Sequence, residues 1–155
     1  MIRLSQLIGQ RVVDRDHGQS LGGIQRLLLD TERGSFTAAQ LQPPVGGQAI
    51  IDWSAIVGLG DDAVIASEGQ TRPPDDEREQ RLVRGDLELL GKAVLTEDGT
   101  SLGELRDIEL DVASGRVVRL LLEDQAIPVD RFVALGSDVL IIATPTAGST
   151  AAPAR

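Results

Sequence analysis

Cysteine is absent from the 155 residues, so no disulfide frames the fold and no thiolate is available as nucleophile or metal ligand. Tyrosine is absent too, and the aromatic residues reduce to Phe36, Trp53 and Phe132. A core made from this chain is aliphatic, and the stacking platforms on which single-stranded nucleic acids lie have almost nothing to be built from. His17 is the sole histidine. No apolar run reaches the roughly 18 residues that span a bilayer, and the opening MIRLSQLIGQ lacks the apolar stretch of a leader. From these absences we expect a cytoplasmic protein with no transmembrane segment.

What is present is ordinary in bulk: 41% hydrophobic and 25% charged residues exclude wholesale disorder. The formal charge of −9 is uneven, with −6 falling in residues 86–155. Such a surface repels polyanions, which argues against direct binding of nucleic acid or anionic membranes, and attracts a basic protein partner.

The chain is a duplication. Residues 90–122 overlay residues 8–41 with one gap, matching Gly9 to Gly91, Val12 to Val94, Asp16 to Asp98, Leu21-Gly22 to Leu102-Gly103, Asp30 to Asp111 and Gly34 to Gly115. Each copy reads as a capped turn at Ser5 or Asp86, a first strand, a glycine-bearing hairpin, a long second strand, another turn and a third strand. In the second strand the alternation slips at the same place twice: Ile24 against Leu27 and Leu29, Leu105 against Ile108 and Leu110. A β-bulge is the expected cause. The third strands, 36–41 and 117–122, put Thr37, Ala39 and Leu41 inward in one copy and Val118, Leu120 and Leu122 in the other, with Phe36 helping to fill the first. The closing pieces align with Asp52 opposite Pro128, Trp53 opposite Val129 and Ile56 opposite Phe132. Residues 67–84 read as a polar linker whose DDEREQRLVR portion can form a short helix after Pro73-Pro74, and 144–155 as a disordered tail. Units this small bury only about 60% of their unfolded surface, so packing against another unit or self-association is expected.

These residues resemble the PRC-barrel family. The carriers are SQLIGQRVVD and LELLGKAVLT, the two Gly-x-x-Leu-Gly patterns from Gly18 and Gly99, the Asp…Gly turns before the third strands, and Pro128 to Gly136. The resemblance implies an all-β chain of two tandem small barrels of strongly bent antiparallel strands, the first over 1–66 and the second over 85–143. It also implies docking on other proteins rather than catalysis. Family members include a domain of a ribosome-maturation factor and the cytoplasmic part of a photosynthetic reaction-centre subunit. The absence of a preceding transmembrane helix or RNA-associated domain speaks against either complete role. The expected function is a non-catalytic assembly adaptor for protein partners of unknown identity, with self-association. The alternative is a ribosome-maturation or RNA-processing accessory that docks on a basic ribosomal protein.

Candidate chemistry is sparse. Asp14-Arg15-Asp16-His17-Gly18 bunches ligand types, but a calcium loop needs glycine sixth and an acid twelfth, where Gln19 and Gln25 stand. We read a solvated turn and expect no metal, no cofactor and no catalytic residue. The candidate interface consists of Trp53, as an aromatic anchor or a core cover, and of Glu104, Asp107, Glu109 and Asp111, an acidic strand face suited to an Arg/Lys-rich partner. Sheet edges offer a further route by strand addition.

Overall fold

The structure is a computed structural model that describes residues 1–43, 49–67, 71–129 and 131–144. The chain divides into two compact units: unit 1 is Met1–Ser5, Asp30–Ser35 and Asp86 onward, and unit 2 is Gln6–Leu29 with Phe36–Gly85. Short pieces of the first copy therefore belong to the unit built by the second. The expected tail at 144–155, apart from Thr144, and the Gly46-Gly47 turn lie outside the described residues.

The helical turn α1 (Leu4–Leu7) is divided between the units, and unit 2 carries, apart from the end residues Asp30 and Ser35, the strands β2 (Arg11–Asp14), β3 (Ser20–Asp30), β4 (Ser35–Gln42), β5 (Ala49–Asp52), β6 (Ile56–Leu59) and β7 (Val64–Ala66). Unit 1 carries β1 (Ile2–Arg3) and β8 (Ala93–Thr96), β9 (Ser101–Leu110), β10 (Val117–Leu122), β11 (Ala126–Pro128), β12 (Phe132–Leu135) and β13 (Val139–Ile142). Helix α2 (Glu77–Val83) lies between the repeats in sequence. The sheets run β5-β4-β3-β2-β7-β6 and β11-β10-β9-β8-β13-β12, with β1 added on β9.

The duplication is legible bond by bond. Gly9 N–H donates to Ile24 O at 2.8 Å and Gly91 N–H to Leu105 O at 2.7 Å; Arg15 N–H reaches Ala66 O at 2.9 Å and Glu97 N–H reaches Ile142 O at 3.0 Å. Both copies slip register at Leu21 and Leu102, where β2 meets β3 and β8 meets β9, and again at Val57 and Val133 on the terminal strands. The first of these slips explains the Leu-Gly pattern. Gly22 and Gly103 follow the extra leucine with φ of 125° and 104°, and a Cβ on Gly22 would meet Gln42 O at 2.3 Å.

The bulge expected in the second strand is present on β9: Leu121 faces Asp107 while Leu122 faces Leu105, which leaves Arg106 unmatched. Leu105 and Ile108, three residues apart, consequently both point inward and are fully buried. A second slip, at Val118 on β10, corrects the expected inward set: Val117 is buried and Val118 is only half-buried, just as Phe36 is buried and Thr37 is not. Each core is aliphatic, with Val12, Ile24, Leu41, Ile50 and Ile51 in unit 2 and Val94, Leu105, Ile108, Leu120 and Leu140 in unit 1. Each such side chain contributes about 1.5–3 kcal/mol.

Two expectations about the sheets are corrected. The pairs β2/β7 and β8/β13 are parallel, and among the described residues neither sheet closes into a barrel by hydrogen bonds. The reason is a corner. From β8 the antiparallel pairings to β9, β10 and β11 leave β11 opposed to β8, while β12, antiparallel to a β13 that parallels β8, is opposed to it as well. Strands β11 and β12 thus run in one sense, and the chain crosses between the two ends of the sheet instead of pairing them in a hairpin. In unit 2 the same corner is the single 3₁₀ turn Trp53–Ala55 between β5 and β6.

Candidate functional site

The bunched turn after β2 is held by Asp14. Its buried carboxylate accepts the Asp16 N–H at 2.9 Å and lies 2.9 Å from His17 Nδ1, while Gly18 N–H donates to Asp14 O at 2.7 Å. All of Asp14's reach is spent inside the turn. In the second copy Thr96 and Asp98 do the equivalent work, Asp98 accepting the Thr100 N–H at 3.2 Å and the Thr96 hydroxyl. Among the described residues no three His, Cys, Asp or Glu side chains gather as metal ligands would. The hydrogen bond from His17 holds Asp14 below the usual carboxylate range, and Asp14 raises His17 above its ordinary 6.5. Because His17's folded-state value is raised and Asp14's is lowered, the pair's stabilisation is complete between pH 3.8 and pH 6.5, fades as pH climbs through the folded-state value of His17, and is lost as pH falls through that of Asp14. An NMR titration of the imidazole should give a midpoint above 6.5 that returns to the ordinary range in Asp14→Asn; an unchanged midpoint in that variant would refute the pairing.

The acidic strand face is largely committed to the fold. Asp107 accepts the Ser5 N–H at 3.0 Å, the Ser5 hydroxyl and its neighbour Ile108 N–H at 2.9 Å. Glu109, with a side chain 15% exposed, pairs with Arg119 across the ladder at 2.5 and 2.6 Å. Asp111 ties its own turn through Ala113 N–H at 3.0 Å and the Ser114 hydroxyl at 3.3 Å. Glu104 stands exposed on the same face. Trp53 is buried at the corner, its ring centroid 6.5 Å from that of Phe36. Trp53 belongs to unit 2, and the four acidic residues belong to unit 1.

What the sequence reading passed over lies after β7. Arg72 forms an antiparallel bridge with Ile50: its N–H donates to Ile50 O at 3.0 Å, and its own O accepts the Ile50 N–H at 2.7 Å. Its guanidinium grips both oxygens of Glu79 on α2, at 2.6 and 2.7 Å, and touches Asp52 at 3.0 Å. Glu79 is 5% exposed, and it also accepts the Asp75 N–H at 2.8 Å. The Arg72 hydrogen bonds pull Glu79 below the ordinary carboxylate range and raise Arg72. Asp76, which accepts the Glu79 N–H at 2.8 Å, starts the short helix expected in DDEREQRLVR, and the Asp-x-x-Glu spacing of a capping box is the sequence signal for its first residue. Leu82 buries the helix's apolar side completely.

A family profile described as PRC-barrel domain matches residues 1–71 and again 85–148. The chain belongs to the PRC-barrel family. Comparison with curated proteins gives no match.

The two PRC-barrel units differ at one edge. Register places Ala126 in unit 1 where Ile50 stands in unit 2: Ile50 opposes Gln40 and Ala126 opposes Leu121, at corresponding points of β4 and β10. Since Leu122 N–H donates to Gln125 O at 2.8 Å, alternation turns the N–H and C=O of Ala126 away from β10. Among the described residues nothing bridges Ala126 as Arg72 bridges Ile50. At the next outward position Pro128 supplies no N–H, a common way to blunt a sheet edge. Among the described residues the PRC-barrel edge at β11 is therefore open over one bridge, the same extent that is occupied at β5.

Proposed function

We propose that this PRC-barrel protein is a non-catalytic adaptor that binds other polypeptides, and that the open edge at Ala126 receives an extended segment of the partner. The observation that carries this reading is internal to the chain: at the equivalent edge an extended segment is already seated, through two backbone bonds at Ile50. Main-chain bonds of that kind give affinity, and the side chains flanking them give specificity. One bridge alone binds weakly, so neighbouring contacts contribute most of the partner's affinity.

The reading is tested by placing a photo-crosslinking side chain at Ala126 and irradiating the protein in an extract of its own cells. An adduct with a second polypeptide, lost on adding an excess of that polypeptide's isolated segment, is expected. Crosslinking confined to the chain's own residues would contradict the reading.

A further inference from the structure

Unit 1 contains a cavity of about 300 Å³. Its walls include Val117 and Val129, which align with Phe36 and Trp53. In unit 2 those positions carry two rings packed 6.5 Å apart, whereas in unit 1 two valines stand there beside open space. Around that space gather Arg33, Arg116 and Arg131, with Glu32 the one carboxylate among the described lining residues. In the first copy the positions of Arg116 and Arg131 are Ser35 and Ala55.

Three arginines lining one cavity concentrate positive charge there, and the ion pairs that offset it are made by exposed arginine side chains. Arg33 lies 3.7 Å from Asp30 and Arg131 3.5 Å from Glu97, both with side chains more than half exposed, and Arg116 has no ion pair among the described residues. In a chain of net charge −9 this is a local excess of positive charge. Planar guanidinium forks match phosphoryl oxygens bidentately. The apolar wall suits a carbon skeleton, Glu32 can accept only from donors such as hydroxyls, and the volume is at the small end for ligand cavities.

We propose that this cavity binds a small phosphorylated polyol. Arg33, Arg116 and Arg131 hold the phosphoryl group, Glu32 accepts hydrogen bonds from the hydroxyls, and Val117 and Val129 lie against the carbon skeleton. This site is independent of the edge at Ala126.

The test is an NMR titration of the full chain with ribose 5-phosphate, following the amides of Gly34 and Val117. Saturable shifts with a dissociation constant below about 1 mM are expected. Arg116→Ala with Arg131→Ala, both exposed and compatible with folding, should weaken binding by about tenfold or more. Glu32→Gln should weaken ribose 5-phosphate while leaving inorganic phosphate unchanged, and ribose alone should not bind. No saturation by about 20 mM, equal binding by the double arginine variant, or inorganic phosphate binding as tightly as the sugar phosphate would overturn the proposal. So would a glutamate-rich peptide that shifts the same amides at lower concentration, since the cavity would then be a docking site for acidic protein segments.

Discussion

Arg72→Ala is expected to destabilise unit 2 by about 3 kcal/mol, a large share of what a domain of this size possesses. The loss comes chiefly from Glu79. Its carboxylate is 5% exposed and satisfied by the bidentate guanidinium and by backbone N–H groups of Asp75 and Asp76, so removing Arg72 leaves a buried charge with backbone donors but without its counter-charge. Arg72 itself is one-third exposed, and its contact with Asp52 is largely solvated, so that pair adds little. The acid limb should change with it. Since Glu79 titrates below its ordinary 4.5 in the fold, the ion pair's stabilisation is complete above that pH and is lost as pH falls through the folded-state value. Urea unfolding at neutral pH and near pH 3 reads both effects: the gap between wild type and Arg72→Ala should narrow in acid. A variant as stable as wild type at neutral pH would show that the pair contributes nothing.

Deleting Arg106 should destabilise unit 1 by straightening β9. Leu105 and Ile108, three apart, can both face inward only because Arg106 is the unmatched residue between them. Without it they stand two apart, ordinary alternation keeps Leu105, Ile108 and Leu110 inward, and what is lost is the bend and added twist that the extra residue gives the strand. The straightened strand strains its pairings with β8 and β10, and a loss of about 1–3 kcal/mol is expected. Arg106→Ala, by contrast, should change stability by less than about 1 kcal/mol, because the side chain is exposed and its 3.5 Å pair with Glu123 lies at the surface. Thermal unfolding followed by circular dichroism separates the two. A deletion variant that melts like wild type would remove the bulge from the account.

That bulge was legible because a strand with period two cannot bury positions three apart, and the slip occurs in both copies. The hairpin glycines and the duplication were legible for similar local reasons. The parallel pairs were not, since which strand meets which depends on the corner at Trp53–Ala55, and alternation carries no information about direction across a corner. The slip at Val118 was hidden inside Val117–Leu122, where an almost unbroken apolar run has no alternation to interrupt. Among the candidate site residues, chemistry of the right type was visible but its commitments were not. Asp107 is occupied by Ser5, 102 residues away, and Glu109 by Arg119 on the next strand. The arginines around the cavity come from turns and a corner distant in sequence, so only the fold brings them together.

The adaptor reading rests on an edge that is occupied in one unit and open in the other, and amide hydrogen exchange of the isolated protein measures this directly. The account predicts that the Ile50 N–H, held by Arg72 O at 2.7 Å, is protected while the Ala126 N–H exchanges quickly, and that Ala126 becomes protected when a partner segment is added. An Ala126 amide as slow as that of Ile50 in the protein alone would mean that the edge is already filled, and would contradict the account.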